Sequence, residues 1–472
     1  MTSAMDGNSR VVSLFRCPSL EDVVSIVDNA HVVVEDNVIE ALDRSRRSYV
    51  EAVKRGDQVY GYCTGLGELL GKRSEKCDSE WEKHVLLEHS MTIGDAVPKT
   101  LVRAFLAVRL YQLARGRAPV RGIVLRRIAE ALNNDFIPVV HRHGSVGASG
   151  DLAPSAEAFL CLFYGEGQAY NGEDIVPCKE LMEKLGIQPL PLEPGEALAL
   201  INNTAWSTAL GILGYESLRR LWNRSIEASV HTLSVTGCNE QHYSSETLHA
   251  TLHEGVRKVG EEINQGITRC EKRRLQDPYS LRCTPQILGA VSEALNFAKR
   301  LLEEELCSST ENPIIVNGEV KHWCGFHSIH VALAIDTMKL ASTYIANLTE
   351  RRLNQLLRSE ITGLPEFLAG EMDSVGAMIT QYAAASLTAR IRWLANPQST
   401  HSIPTSGLQE DIVPMSPESG YELLEAVRLL AYILSIEFAV SKYASENMER
   451  GVGGLKRLIE EYNDALQREI YP

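Results

Sequence analysis

The chain contains 472 residues, of which 44% are hydrophobic and 23% are charged, and its formal net charge is −14. This composition is ordinary for a globular protein, and the length predicts two compact regions or a core completed by neighbouring subunits. The acidic balance argues against a nucleic-acid partner and against an anionic membrane partner. No apolar run reaches the length of a membrane span, and residues 1–10 lack the apolar centre of a signal peptide.

The ten cysteines are scattered from Cys17 to Cys324 and include no C-x-x-C pair. Cysteines spaced in this way are typical of reduced thiols in a cytoplasmic protein and not of a disulfide framework. We therefore expect free thiols and a cytoplasmic location.

The first part of the chain predicts a short strand at residues 11–15 and helical structure over residues 20–54. The sequence Tyr-Gly-Tyr-Cys-Thr-Gly-Leu-Gly follows at residues 60–67, and its three glycines predict a loop. In residues 98–133, apolar side chains recur at three- and four-residue steps, which predicts two helices separated by glycine and proline. Taken alone, the tyrosine-bearing loop indicates only a surface turn.

The most distinctive stretch is residues 144–154, Gly-Ser-Val-Gly-Ala-Ser-Gly-Asp-Leu-Ala-Pro. Gly150 has no Cβ, so its amide nitrogen could approach the carbonyl carbon of Ala148 without a clash. Ring closure and loss of the Ser149 hydroxyl as water would leave an exocyclic methylidene, a strong electrophile made from the chain itself. A plain turn is the commoner meaning of such a segment. A phosphate-binding loop is disfavoured, because no lysine follows the glycines and no clear strand precedes them.

All eleven residues of this stretch resemble the signature of the aromatic amino-acid ammonia-lyase family, and several other segments are similar to the histidine lyases within it. In that family the central triad becomes a 4-methylideneimidazole-5-one ring. The resemblance therefore implies this prosthetic group at Ala148, Ser149 and Gly150, and it implies no metal and no nucleotide.

The loop at residues 60–67 resembles the family's Tyr-Gly-x-Asn-Thr-Gly-Phe-Gly, which implies that Tyr60 is the catalytic base. Cys63 and Leu66 depart from that pattern. Residues 86–90, Leu-Leu-Glu-His-Ser, are similar to a segment of the histidine lyases and imply a substrate contact from His89. Residues 197–204 resemble the family's Leu-Ala-Leu-x-Asn-Gly-Thr and imply an active-site amide at Asn202.

Asn203 stands where this last motif has glycine. Asparagine tolerates left-handed backbone angles best among the other residues, so we expect the turn to survive.

Four later segments match in the same order along the chain. They are residues 276–286 (Gln-Asp-Pro-Tyr-Ser-Leu-Arg-Cys-Thr-Pro-Gln), 311–313 (Glu-Asn-Pro), 324–328 (Cys-Gly-Phe-His-Ser) and 402–411 (Ser-Ile-Pro-Thr-Ser-Gly-Leu-Gln-Glu-Asp). The resemblance implies catalytic roles for Tyr279, Phe326 and Glu410, and substrate contacts from Gln276, Arg282 and Asn312.

Four residues near position 325 also suggest a metal site: His322, Cys324, His327 and His330. Their spacing does not match the paired-ligand patterns of zinc sites, and we expect no metal there.

Beyond residue 207 the pattern is overwhelmingly helical, with long segments at 207–235, 285–306, 326–357, 370–395 and 420–447. The segment 326–357 carries two apolar stripes, which predicts a helix buried on more than one side. Glycine and proline between residues 165 and 194 place a boundary near 195, between an N-terminal region (1–195) and a helical region (196–472). The predicted fold is mainly α: a long-helix bundle, of the fumarase/aspartase-like type that the resemblance implies, with a smaller mixed N-terminal region.

The resemblance implies an enzyme that eliminates ammonia from an aromatic L-amino acid. The β-hydrogen of such a substrate is not acidic, so an electrophile must activate the substrate before Tyr60, as a positioned base, removes the proton. Arg282 presents a planar fork that suits the carboxylate. Asn202 and Asn312 would orient that carboxylate, and Tyr279 would handle a proton near the leaving amine. The family also implies a homotetramer.

Histidine is the substrate that the sequence favours, with urocanate as product, because three polar residues belong to the ring-binding end: His89, Gln276 and Glu410. A phenyl ring would leave these groups unpaired, at ~1–3 kcal/mol each. Tyrosine remains an alternative, since its hydroxyl could pair with His89, and so do phenylalanine and an aromatic 2,3-aminomutase reaction that returns ammonia to the β-carbon. A catalytically silent protein is a further alternative, suggested only by the departures at positions 63, 203 and 325.

Overall fold

The computed structural model describes residues 9–12, 16–71, 77–267, 272–370 and 374–472. Within these residues the chain is mainly helical, as predicted. The helices are α1 (Leu20–Val27), α2 (Asp36–Lys54), α3 (Ser79–His89), α4 (Lys99–Leu113), α5 (Gly122–Asn133), α6 (Leu152–Tyr164), α7 (Cys178–Leu185), α8 (Glu196–Ile201), α9 (Ala205–Thr236), α10 (Ser245–Leu248), α11 (Glu254–Gly266), α12 (Tyr279–Arg282), α13 (Thr284–Leu306), α14 (Ile329–Leu356), α15 (Ser359–Thr362), α16 (Met378–Leu394), α17 (Ser416–Ser445) and α18 (Gly451–Gln467).

The strands are short and pair into small sheets. They are β1 (Ser9–Val12), β2 (His31–Val34), β3 (Ile93–Ala96), β4 (Ile137–Pro138), β5 (His141–His143), β6 (Gln168–Asn171), β7 (Asp174–Pro177), β8 (Ile314–Val316) and β9 (Glu319–Lys321). β1 and β2 are parallel, whereas β3–β5, β4–β6–β7 and β8–β9 are antiparallel. The β8–β9 hairpin directly precedes the segment that contains Phe326.

The long helices agree closely with the apolar periodicity of the sequence. The segments predicted at 207–235, 285–306, 326–357 and 420–447 correspond to α9, α13, α14 and α17. The predicted segment 370–395 begins earlier than α16, and residues 371–373 lie outside the described part of the chain. Periodicity succeeds here because each helix buries an apolar stripe along many turns.

A buried ion pair joins three of these helices. Arg352 of α14 and Glu437 of α17 are fully buried, and the Arg352 guanidinium donates to both oxygens of Glu437, at 2.6 and 2.8 Å. Arg352 also donates to the Ser229 hydroxyl of α9 at 2.8 Å. Because its charged groups have several hydrogen-bond partners, this ion pair fixes the register of the three helices.

The chain divides into two compact units that are discontinuous in sequence. The first comprises residues 1–213, 300–334 and 398–420, and the second comprises residues 214–299, 335–397 and 421–472. The predicted boundary near residue 195 separates regions that would fold independently. Contacts alone do not define such regions, so the boundary stays a prediction.

The core of the first unit positions two asparagine-bearing segments through one arginine. Arg109 of α4 is fully buried and donates to the Glu311 carboxylate at 2.7 Å and to the Ala199 carbonyl at 2.6 Å. Glu311 precedes Asn312, and Ala199 lies in α8, which ends just before Asn202. Arg109 therefore holds both segments against α4.

The expectation of free thiols is wrong for most of the cysteines. Disulfides join three pairs whose members are both described: Cys17 with Cys307, Cys63 with Cys77, and Cys161 with Cys178. Two of these pairs span 14 and 17 residues and the third spans 290, so the spacing of the cysteines does not predict the disulfides. Cys283 and Cys324 are free thiols. None of the described helices is long and apolar enough to cross a membrane.

Candidate active site

A cavity of about 480 Å³ in the first unit collects most of the residues that the sequence singles out. Seven of them line it: Tyr60, His89, Ser149, Asn202, Asn312, Phe326 and Glu410. They come from seven separate stretches of sequence, which the fold brings together around a single space.

The residues on either side of the central triad are held by hydrogen bonds from the starts of other helices. Asp151 is fully buried, and its carboxylate accepts from the Ser145 hydroxyl and from the hydroxyl and amide of Ser207, all at 2.8 Å. The Ser328 hydroxyl donates to the carbonyl of Gly147 at 2.9 Å and is also hydrogen-bonded to Ser416.

These contacts place the N-termini of four helices around the triad. α6 begins directly after Asp151, and Ser207, Ser328 and Ser416 lie at the starts of α9, α14 and α17. Because helix N-termini carry partial positive charge, they favour negative charge near residues 147–149. Burial raises the pKa of Asp151 to about 6, against the hydrogen bonds that favour its charged form.

Residue 150 must be glycine for two reasons. Its φ of +83° lies in the left-handed region, and a Cβ built there would lie 2.4 Å from the carbonyl oxygen of Asn203. The adjacent amide of Asp151 donates to this same oxygen at 2.6 Å. The chain is therefore in close contact with the backbone of residue 203 at the last position of the triad.

Asn202 links the triad to the cavity. Its side-chain amide donates to the Ser149 carbonyl at 2.6 Å. The residue is only 3% exposed, and its Oδ1 atom has no hydrogen-bond partner in the described chain. An unpaired buried oxygen beside the cavity is suited to accept a hydrogen bond from a bound molecule.

Tyr60 is fixed at both its phenol and its backbone. Its hydroxyl oxygen accepts from the Gly67 amide at 2.9 Å, and its own amide donates to Nε2 of His322 at 3.2 Å. The Cys63–Cys77 disulfide ties this loop to the residue before the N-cap of α3, the helix that ends at His89.

The pKa of Tyr60 reflects opposing influences. Burial is the largest and raises the pKa, and the neighbouring Glu410 carboxylate raises it further. The amide of Gly67 lowers it, because an N–H donor stabilises the phenolate. The Gly67 amide is thus the group that favours the phenolate form of Tyr60.

Two polar side chains that line the cavity have defined hydrogen-bonding roles. His89 Nδ1 lies 2.7 Å from the Val85 carbonyl and must donate to it, so Nε2 of the neutral ring is an acceptor. The Glu410 carboxylate accepts from the Thr405 hydroxyl and retains further acceptor capacity.

Asn312 is oriented by the backbone of Trp323. The Trp323 amide donates to Asn312 Oδ1 at 3.0 Å, and the Trp323 indole donates to the Glu311 carbonyl at 2.7 Å. With its oxygen engaged, Asn312 has its NH₂ group available for a carboxylate.

Gln276, Tyr279 and Arg282 form a separate group in the second unit and are not among the residues that line this cavity. Arg282 donates to Gln276 at 3.2 Å, and Tyr279 is 71% exposed. The described residues that line the cavity include no lysine or arginine.

The sequence model of the aromatic amino acid lyase family matches residues 19–464. The histidine ammonia-lyase of Caldanaerobacter subterraneus subsp. tengcongensis is 36% identical, over 96% of this chain and 92% of that protein. The probable histidine ammonia-lyase of Thermoplasma acidophilum is 33% identical, over 94% of this chain and 91% of that one.

The chain belongs to the aromatic amino acid lyase family.

This assignment confirms the predicted enzyme class, an ammonia-lyase. The solved tyrosine aminomutase of Streptomyces globisporus is 27% identical, with a TM-score of 0.89 over 98% of this chain and 97% of that one. That similarity confirms the predicted fold class.

The departures from the family's motifs are accommodated structurally. Asn203 is not among the non-glycine residues with positive φ in the described chain, so the left-handed turn expected there is wrong. Its side chain instead accepts from the Ala205 amide at 2.7 Å and caps the start of α9. Ser328 adds a hydroxyl that holds Gly147, and Cys63 forms a disulfide.

His322 and Trp323 also line the cavity, although sequence reasoning did not assign them to the site. The sequence flagged His322 only as part of a metal pattern, and the structure gives it the amide of Tyr60 as a hydrogen-bond partner. No local pattern could reveal this, because the two residues are 262 positions apart.

We predict that Gly150→Ala destabilises the protein more than Gly167→Ala. Both glycines have positive φ, and an alanine there costs about 1–2 kcal/mol. A Cβ at position 167 meets nothing within 4 Å, whereas a Cβ at 150 meets the backbone of Asn203. Thermal unfolding of both variants measures the difference, and equal midpoints would show that residue 150 has room for a side chain.

Proposed function

We propose that the protein is a cytoplasmic homotetrameric ammonia-lyase that converts L-histidine to urocanate, with a 4-methylideneimidazole-5-one ring formed from Ala148, Ser149 and Gly150. The observation that carries the proposal is the cavity in which Ser149 faces Tyr60, His89, Asn202 and Glu410. The family assignment and the names of the curated relatives support the same reaction.

The residues around the triad fit the ring. Ala148 and Gly150 are buried while Ser149 is half-buried and lines the cavity, so an electrophile made at Ser149 would face the substrate. Asn202 donates to the Ser149 carbonyl, and the constraint on residue 150 keeps the backbone folded against Asn203. The ring supplies the electrophile that activates the amino acid for elimination.

The chain's own side chains handle the proton and the charges. Tyr60 removes the β-proton, and the Gly67 amide stabilises the phenolate form that can accept it. The free Oδ1 of Asn202 and the NH₂ of Asn312 orient the amino-acid end of the substrate. Arg282 binds the carboxylate, and Tyr279 handles a proton at the leaving amine.

Phe326, which also lines the cavity, is proposed to pack beside the prosthetic ring.

Histidine is favoured because two polar side chains, His89 and Glu410, line the cavity. A protonated imidazole can donate to Nε2 of His89 through one nitrogen and to Glu410 through the other, and the Glu410 carboxylate favours that protonated form. A phenyl ring would bury both groups without partners, at about 1–3 kcal/mol each. Gln276, the third polar residue that the sequence assigned to the ring-binding end, lies in the second unit and is proposed to join the site from another subunit.

We predict that histidine has the highest kcat/KM among histidine, tyrosine and phenylalanine, and that Glu410→Gln lowers turnover of histidine by about tenfold or more. Release of ammonia and the ultraviolet absorbance of the unsaturated acid measure both. Glu418→Gln, at an exposed carboxylate, is a matched control. If tyrosine or phenylalanine is preferred, the substrate assignment is wrong; a β-amino acid product would instead indicate aminomutase activity.

We predict that the intact mass of the purified chain, measured after reduction of its disulfides, is lower than the mass of its sequence by two waters, because ring formation expels two. Ser149→Ala is expected to keep the unmodified mass and to lose activity. A wild-type mass equal to that of the unmodified chain contradicts the proposed ring, whatever activity is found.

The tetramer is proposed because the described residues that line the cavity include no lysine or arginine for the substrate's carboxylate, while Arg282 is available elsewhere on the chain. Apolar side chains are also exposed on the long helices of the second unit, among them Leu340 and Tyr344 of α14 and Tyr382 of α16. Such residues are typically buried by neighbouring subunits. The exposed side chains of Leu340 and Tyr344 are thus available for an interface.

We predict that mixing Tyr60→Phe chains with Arg282→Ala chains during refolding restores part of the activity, because some sites in mixed tetramers then receive both native residues. Each variant refolded alone is the control. Mixed tetramers verified by mass that remain inactive would place Tyr60 and Arg282 in the same subunit's site.

The cytoplasm is proposed as the location, because free amino acids are catabolised there. The three described disulfides are unusual for that location, since stable disulfides in intracellular proteins occur mainly in hyperthermophiles.

A further inference from the structure

His322 makes a contact with Tyr60 that is separate from the chemistry proposed above. Its Nε2 atom lies 3.2 Å from the backbone nitrogen of Tyr60, which can only donate. The imidazole must therefore present an unprotonated Nε2, and in the neutral ring the proton resides on Nδ1.

The segment that carries His322 is firmly attached to the neighbourhood of Tyr60. His322 directly follows β9, and Val320 of β9 packs with Val59 and Tyr62, the residues on either side of the Tyr60–Gly61 pair. His322 also lines both the candidate active-site cavity and an adjacent cavity of about 650 Å³ that Tyr60 shares. The imidazole thus stands between these two spaces, supported by an apolar cluster.

The charge state of His322 decides whether the contact exists. A protonated imidazole has N–H donors at both nitrogens and would oppose the Tyr60 amide with a second donor. Partial burial lowers the pKa of His322, which keeps the ring neutral and accepting near pH 7. The other titratable groups that line the two cavities are Asp57, Tyr60, Tyr62, His89, Cys324 and Glu410. Asp57 is paired with Arg55 at 3.0 Å.

We propose that His322 is a positioning residue for Tyr60: its neutral imidazole fixes the Tyr60 backbone so that the phenol stays on the Gly67 amide, and protonation of His322 releases it. This inference rests on the proposed role of Tyr60 as the base. It adds a titratable group that acts on the base through the backbone and touches no reacting atom.

Two substitutions distinguish the loss of the hydrogen-bond acceptor from the loss of the titratable imidazole. His322→Gln retains an acceptor of similar reach but does not titrate, whereas His322→Leu removes the acceptor. We expect His322→Leu to lower kcat by about fivefold, the equivalent of one ordinary hydrogen bond, with a smaller change in KM. We expect His322→Gln to keep kcat within about twofold at pH 8.

The pH dependence gives the sharper result. The ratio of wild-type kcat to His322→Gln kcat cancels the titration of the substrate, which is the same for both. This ratio is expected to be constant from pH 7 to 9 and to fall at acidic pH, as the wild-type imidazole becomes protonated below the ordinary histidine pKa of about 6.5. His84→Gln, at an exposed histidine paired with Glu88, is the matched control and should leave the wild-type profile unchanged.

Hydrogen–deuterium exchange of the peptide around residue 60 tests the contact without any catalysis. Exchange should be slow in wild type and His322→Gln and faster in His322→Leu. The inference is overturned if His322→Leu has wild-type kcat and wild-type exchange, or if the kcat ratio is flat down to pH 5. A wild-type protein that releases no ammonia from any aromatic amino acid overturns the proposed function instead, and the two failures are therefore distinguishable.

Discussion

The contact of residue 150 with the backbone of residue 203 is the constraint on which the rest of the site depends. A side chain at position 150 would overlap the Asn203 carbonyl, and the amide of Asp151 donates to that same oxygen. The triad can therefore adopt its conformation only where α8 ends and α9 begins. Asn202, which donates to Ser149 and keeps a free oxygen beside the cavity, belongs to the same junction.

The long helices matter to the site mainly through their first turns. A chain of hydroxyls runs from Ser207 through Ser416 to Ser328, and it connects the Asp151 carboxylate with the carbonyl of Gly147. These hydroxyls bond to one another, to Asp151 and to the Gly147 carbonyl, and they therefore tie the starts of the three helices to the triad. The same turns bring partial positive charge toward the triad, which would stabilise electron density arriving there during elimination.

Sequence reasoning could predict the features that depend on local pattern. Long apolar stripes gave four of the five long helices to within a few residues, and glycine clusters located the loops that carry Tyr60 and Ser149. The family resemblance identified seven residues that line one cavity in the structure. Sequence reasoning could not predict the contact of His322 with Tyr60 or the pairing of cysteines 290 residues apart, because both depend on how distant segments pack. Asn203 shows the limit most clearly: its motif suggested a left-handed turn, but its side chain caps a helix.

The proposed division of labour between the two units has a thermodynamic consequence. The first unit contains Tyr60, the triad, His89 and Glu410, but the described residues that line the cavity include no lysine or arginine for a carboxylate. Arg282 lies in the second unit on the short helix α12, next to a loop anchored by Asp277, which is buried and accepts from Arg274 at 2.9 Å. If another subunit presents Arg282, substrate binding and subunit assembly stabilise each other, because a ligand that contacts two chains binds the assembled form more tightly than the separate ones. A free chain would then hold histidine weakly despite having its base in place, and catalysis would be confined to the assembled enzyme.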